Sequence, residues 1–424
     1  MGVTGALLDL TPLRTSPAFR RLWIGGVLSG FGGQATMVAV PYQIWQLTHS
    51  TVWTGAVGMA QAVPVVAVGL AAGSLVDRVD RRRLYLIALT GQAICSALLA
   101  VQGFAGVVPA AGVLALVAVQ YCFVATAGPA NRTFIPRLLP AEQLAAGLAL
   151  NRIAFQGTML VGPAVAGLLI GWYGVGGCYL VDAVSFALAF YGAARLPAMR
   201  PDGDAARPGL RGVADGLAFL VRTPVVRGAL LTDLAATVLA MPLSLFPLVN
   251  AERFGGDPRT YGLFATAIAV GGVLASVLSG TYTRRSRPGR GMLAGAASWG
   301  LALALFAIAP NAWLGLGFLV LAGIADTVSV VSRSTVVQLA TPDALRGRVA
   351  AAEMAVGQAG PDLGNLRAGL LARATSGTAA LLAGGLACLA GVVAVAATTP
   401  ALRDTGTAGK TDGSREGNRV CESG

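Results

Sequence analysis

Apolar runs of about 20 residues recur along most of the chain, separated by short stretches where charge, glycine and proline collect. Each run is long enough to cross a hydrocarbon core of about 30 Å as a helix. Alternation of strand length is absent, which argues against a membrane β-barrel. The punctuation between runs predicts twelve helices. The first six lie near 20–46, 52–77, 83–104, 108–133, 143–171 and 176–196. The second six lie near 224–250, 259–283, 290–310, 312–340, 347–373 and 377–398. A polar, Pro/Gly-rich stretch divides them. The expected organisation is an N-terminal six-helix bundle over 1–196, a cytoplasmic linker over 197–223, a C-terminal six-helix bundle over 224–398 and a tail over 399–424. The tail has the Gly/Ser/Thr-rich composition of a disordered segment. The predicted class is an all-α membrane protein.

Composition sharpens this. Charged residues are 12% of the chain against 55% hydrophobic ones, about half the charge of an ordinary soluble domain. The net charge is +12 at pH 7. Its placement matters more than its size. The predicted outer loops hold only Arg253, Arg259 and Arg373, and Arg152, Arg333 and Arg367 lie within spans. The other cationic residues fall on inner segments or inner helix ends. Such asymmetry places both termini in the cytoplasm. It also accounts for the basic balance without nucleic acid, for which no aromatic-plus-basic platform is present. The five cysteines are unpaired by spacing, so neither a disulfide framework nor a metal site is expected. The lone His49 falls in a short outer loop.

The two halves carry matched landmarks. Pro17 and Arg20 recur as Pro224 and Arg227, Gly55 as Gly262 and Gly73 as Gly280, all at an offset of 207. Pro140 matches Pro342 at 202, and Gly162-Pro163 matches Gly360-Pro361 at 198. An ordered series with slowly shrinking offset is the mark of a duplicated bundle with shortened loops. Two facing halves around a central pathway are a transporter architecture.

The most charged stretch is GSLVDRVDRRR, from Gly73 to Arg83, between the second and third predicted helices. It resembles the loop signature of the major facilitator superfamily, Gly-x-Leu-x-Asp-Arg-x-Gly-Arg-Arg, with Asp80 in place of the usual glycine. GPAVAG at Gly162–Gly167 is similar to a shortened form of the antiporter motif on the superfamily's fifth helix. Three further segments resemble the superfamily's bacterial siderophore and macrolide exporters, the enterobactin-exporter group. They are LLDLTPLRTSPAFRRLW, VAVPYQIWQLTHSTVWTG and QLATPDALRGRV. The resemblance implies an inner-membrane protein that moves amphiphiles outward on the proton gradient.

Several residues then become candidates. The arginines of the loop, Arg78, Arg81 and Arg82, satisfy the inside-positive rule, but acids contribute little to orientation. Asp77 is therefore expected to act as a conformational gate. It would meet the start of the eleventh helix, where free N–H groups, a positive dipole end and Arg348 lie, with Glu353 two turns further in. An acid within a span costs about 2.5–3.5 kcal/mol on insertion scales and so faces a cavity or a partner. Asp233 and Asp326 lie on the seventh and tenth helices, which the resemblance implies line the pathway. Each reads either as a proton-coupling group or as a structural anchor bonded to a partner such as Arg333. Asp182 is expected to serve helix packing or capping, with a pathway role as the alternative. Gln34, Gln43 and Gln120 can bond a substrate or a neighbouring helix. Gly162, Pro163, Gly360 and Pro361 read as kinks or close-packing points.

The function this supports is secondary active transport by alternating access, with a proton moving against a siderophore or antibiotic-like small molecule. The expected partners are that substrate and the lipid bilayer, with no nucleic acid and a monomeric chain. No Walker-type loop is present, and no nucleophile–base pair or metal cluster. The chain is thus expected to be neither an ATP-driven pump nor an enzyme, and to carry no cofactor. An importer of the same fold, and a non-transporting membrane receptor, remain the alternatives.

Overall fold

The computed structural model describes residues 9–76, 79–197, 218–279, 287–342 and 345–404. Every regular element among them is helical. Within a hydrocarbon core this is the solution in which each segment satisfies its own backbone groups. The long helices are α1 (Pro17–Thr48), α2 (Thr51–Val76), α3 (Arg81–Ala105), α4 (Ala110–Arg132) and α5 (Ala141–Ala194). After the linker come α6 (Pro224–Leu234), α7 (Phe246–Arg253), α8 (Pro258–Val277), α9 (Pro288–Ala307), α10 (Ala312–Ala340), α11 (Arg346–Ala374) and α12 (Gly377–Thr398). Among the described residues, nine helical stretches are long and apolar enough to cross a membrane, with α6 and α7 taken together as one.

Short polar devices mark the ends. Ser16 Oγ accepts from Phe19 N at 3.2 Å, and Pro17 opens α1. Asp257 and Asn311 cap α8 and α10 in the same way, and Ser376 caps α12. α1 ends at His49, whose left-handed backbone (φ 49°) lets its N–H reach Trp45 O at 2.7 Å. Its ring lies 5.6 Å from that of Trp45. Asp80 caps α3, accepting from Arg82 N at 2.9 Å and Arg83 N at 3.3 Å.

Two departures from the predicted elements stand out. The fifth and sixth predicted helices run together as α5, 54 residues with one non-helical residue, Gly174 (φ 68°). A glycine takes that dihedral at no steric cost, so the chain reverses without a loop. The seventh predicted helix is instead broken: α6 passes into a π turn at Ala235–Leu239, then a 3-10 turn at Leu243–Leu245, before α7. The carbonyl of Leu239, left at the break, accepts from Arg367 Nη2 of α11.

Packing follows the chain. α1 and α3 lie against α5, and α4 against α2 and α3; α9 packs on α10 and α12, and α8 on α10. The most extensive contacts between the earlier set and the later are α2 with α11, and α5 with α8. The large side chains left exposed form outward faces, such as Ile87, Ile94, Leu98 and Val101 on α3, spaced as one side of a helix. Trp53, Trp172, Tyr173 and Trp313 are exposed near the turns at the His49 end of the molecule. Such amphipathic rings suit a membrane–water boundary.

Candidate functional site

A cavity of about 540 Å³ lies between α1, α3, α4 and α5. Its wall runs from Val40 and Val117 inside the molecule to Tyr85, Asn131 and Asn151 near the Asp80 end. Polar side chains are spread along it, Gln61, Gln92, Asn131 and Asn151 among them, and Asp182 is an acid in their midst. Asp182, with no solvent exposure, accepts through Oδ2 from Thr36 Oγ1 at 2.8 Å, Ser96 Oγ at 2.7 Å and Gln120 Nε2 at 3.3 Å. Gln120 Nε2 also lies 2.9 Å from Ser96 Oγ. One carboxylate oxygen thus draws α1, α3 and α4 onto α5. The expected packing role of Asp182 is there, on a cavity wall.

A second centre joins three later helices. Arg333 of α10 forms an ion pair with Asp233 of α6, and its Nε lies 3.8 Å from Glu353 Oε1 of α11. All three side chains are at least three-quarters buried. Glu353, expected near Arg348 at the gate, lies beside Arg333. Asp326 does not share this contact. It lines a separate cavity of about 300 Å³ together with Arg152, Gln156 and Thr327.

The three glutamines separate into two roles. Gln34 and Gln120 line the larger cavity. Gln43 does not: it exchanges hydrogen bonds of 2.9 and 3.0 Å with Gln102 and accepts from Tyr179 Oη at 2.8 Å. Both ends of its amide are consumed in tying α1 to α3 and α5. Its reading as a substrate contact is corrected to a helix clamp.

At the His49 end the crossing helices meet closely. A Cβ placed on Gly262 would lie 2.8 Å from Gly167 Cα, and one on Gly55 would lie 2.8 Å from Asn365 O. Thr51 Oγ1 donates to Gly369 O at 2.7 Å, Tyr261 Oη to Val38 O at 3.1 Å, and Ser244 Oγ to Asn365 O at 2.8 Å. At this end the two sets of helices touch through close backbone approach and through side-chain hydrogen bonds to carbonyls.

The Gly-Pro pairs are close-packing points. Pro163 and Pro361 lie inside α5 and α11, and the non-helical residue of α5 is Gly174. Gly162 faces Gln34 of α1, and Gly360 faces Thr237 of the α6 π turn. Of the two expected readings the structure shows the close packing, each missing side chain making room for a neighbouring helix. Asp77 and Arg78 lie outside the described residues, as does the side chain of Arg348. Arg81 opens α3. Arg82, expected with Arg78 and Arg81 to belong to the gate, donates to Ala194 O at the far end of α5.

Sequence reasoning missed several of these residues. Tyr179, Gln102, Ser96 and Thr36 had no signal beyond being polar in apolar helices, and that was signal enough to search for a partner. Arg367 is legible in the sequence only as a cation within a span, and Asn365 carries no signal, because nothing local announces a broken α6 across from them.

Residues 8–411 match the family model described as transmembrane secretion effector. The chain belongs to that family. It is a multi-pass membrane transporter of the major facilitator type. Curated relatives include the enterobactin exporter EntS of Shigella boydii serotype 18 and that of Escherichia coli O139:H28. Each is 29% identical over 352 residues, 81% of this chain and 82% of the relative. Among solved structures, the nucleoside transporter NupG superposes with a TM-score of 0.76 at 15% identity, covering 90% of this chain and 98% of that one. A bacterial homologue of the iron transporter ferroportin, in an inward-facing state, gives 0.67 at 14%, covering 91% and 98%. These likenesses establish the fold; the expected resemblance to the exporter group is met.

Proposed function

We propose that this chain is a secondary active exporter of a siderophore or antibiotic-like small molecule, working by alternating access and driven by protons. The carrying observation is a cavity shut at the His49 end by glycine contacts between α5 and α8 and between α2 and α11, with a wall that reaches the Asp80 end. The kinship with relatives named as enterobactin exporters favours outward movement.

In this reading there are twelve spans in two six-helix halves, α5 supplying two of them and α6 with α7 supplying one. The pseudo-symmetry is supported by position: Gly55 and Gly262 sit at the offset of 207, and their partners Asn365 and Gly167 at 198. With the cationic residues facing inward, the Asp80 end is cytoplasmic, both termini are cytoplasmic, and the conformation is open to the inside. The membrane is the bacterial inner membrane, and the chain acts as a monomer without a cofactor. The Asp233–Arg333–Glu353 centre is the proton-coupling site, since an arginine between two carboxylates can be released from one as that one takes a proton. Asp77 remains the proposed latch.

Inside-out vesicles carrying a proton gradient test this directly. Accumulation of a catechol siderophore or a macrolide, abolished by a protonophore, is the expected result. Uptake confined to right-side-out cells would overturn export, and no flux of either compound would overturn transport of this class.

A further inference from the structure

The broken seventh span is fastened on both sides of its break to one turn of α11. On the inner side, Leu239 O accepts from Arg367 Nη2. That guanidinium lies over Gly384 of α12, where a Cβ would come within 3.0 Å of Nη2. On the outer side, Ser244 N donates to Asn365 Oδ1 at 3.0 Å, and Ser244 Oγ donates to Asn365 O at 2.8 Å. Pro242, between the two sides, has no N–H with which to carry the helical ladder across. Backbone groups freed inside a hydrocarbon core are costly to leave without partners, so these side chains stand in for the missing helical bonds.

The two arms of the span have different further attachments. The outer arm is the 3-10 turn with α7, and Leu248 and Glu252 of α7 rest against Gly377 of α12. The inner arm, α6, is held by the ion pair of Asp233 with Arg333 of α10. Between Asp233 and the break runs the π turn Ala235–Leu239, a wider and weaker winding than the α-helix. Thr237 Oγ1 of that turn bonds back to Asp233 O at 2.8 Å, so turn and acid are linked. Facing it, α11 presents glycines: Gly364 packs on Thr237 O, and a Cβ on Gly360 would lie 2.6 Å from Thr237 Oγ1. A helix face without side chains has no ridge to lock the turn in one setting.

We propose that Asn365 and Arg367 are positioning residues that pin the break to α11. α6 then swings about the π turn as one arm, while the 3-10 turn and α7 stay with α11 and α12. Release of Arg333 by Asp233 frees the inner arm. The transport reading supplies what this swing does in the cycle; the hinge itself stands on the hydrogen bonds.

The test is dipolar coupling between spin-labelled unnatural amino acids in the full chain in lipid nanodiscs, placed in pairs at the exposed positions of Arg227, Glu252 and Arg373. The 227–252 pair spans the break, and the 252–373 pair joins the outer arm to α11. Asp233→Asn, the isostere of the protonated acid, is expected to give 227–252 a second distance component and to leave 252–373 unchanged. Asn365→Leu broadens 252–373, and Asp233→Asn in that background then moves both pairs. Arg367→Met broadens 227–252 with Asp233 intact. Should Asn365→Leu fail to fold, Ser244→Ala carries the comparison, because it removes only the donation to Asn365 O. Both pairs moving together in Asp233→Asn alone would overturn the hinge, as would neither moving. Unchanged 252–373 coupling in both Asn365→Leu and Ser244→Ala would overturn the assignment of Asn365, and unchanged 227–252 coupling in Arg367→Met that of Arg367. The two readings fail separately. Separate movement of the arms in a chain without proton-driven flux overturns transport and leaves the hinge; flux in a chain whose seventh span moves as one does the reverse.

Discussion

Gly167 of α5 and Gly262 of α8 touch through their backbones. A Cβ on either would lie within 3.0 Å of the other's Cα. The closure of the His49 end therefore depends on two absent side chains. Gly262→Val forces the helices apart, and overpacking of this kind costs about 1–3 kcal/mol. The cost falls on the closed form alone, so the population shifts toward one in which this end is open. Spin labels at the ends of α5 and α8 read the change: a longer distance component is expected, and an unchanged distribution would contradict the proposed gate.

Arg333 stands between Asp233 and Glu353, and removing it leaves two buried carboxylates facing one another. Arg333→Leu is expected to destabilise by about 3–5 kcal/mol, the range for breaking a buried pair. Arg333→Leu with Asp233→Leu recovers much of that loss while leaving proton-coupled flux absent. Thermal unfolding beside vesicle flux separates the two effects. Full flux in the double variant would place coupling elsewhere.

Gln43 and Gln102 form a closed amide pair away from the cavity. Gln43→Leu is expected to cost about 0.6–1.7 kcal/mol, the scale of hydrogen bonds between membrane helices. It leaves proton-driven vesicle flux unaltered. A changed flux at equal stability would return Gln43 to the substrate path.

The two acids of the loop run separate cleanly. Asp80→Ala removes the cap of α3 and costs about 1 kcal/mol, read as a lower unfolding midpoint with transport kept. Asp77→Asn is expected to do the opposite, reducing transport while abundance and unfolding stay level. The same phenotype from both substitutions would mean that the run has one role rather than two.

Much of this fold could be read in advance because the membrane imposes so coarse a rule. α10 and α12 fall on the expected 312–340 and 377–398 because a polar cap and a charge or threonine bound each apolar run. α5 was harder. Gly174 sits among other glycines in WYGVGG, and no local cue says which one reverses the chain without a loop. The break in α6 was invisible for a different reason: its freed carbonyl is satisfied by Arg367, far along the chain. The candidate site divided in the same way. Polar residues in apolar helices announced themselves, but Gln34 and Gln43 look alike in sequence. Which of them faces a cavity depends on what Gln102 and Tyr179 bring from other helices. Asp80, one position before a run of arginines, reads as charge patterning and acts as a helix cap.

The glycine contacts carry a historical consequence. Gly55 meets Asn365 and Gly262 meets Gly167, and under the repeat each contact is the other with its partners exchanged. That reciprocity, in which one patch meets a second and the second meets the first, is the rule of a two-fold dimer. A half-length ancestor with one glycine on its second helix and a small residue on its fifth would have closed on a copy of itself through this same surface. A linker joining two such copies would make two subunits inseparable.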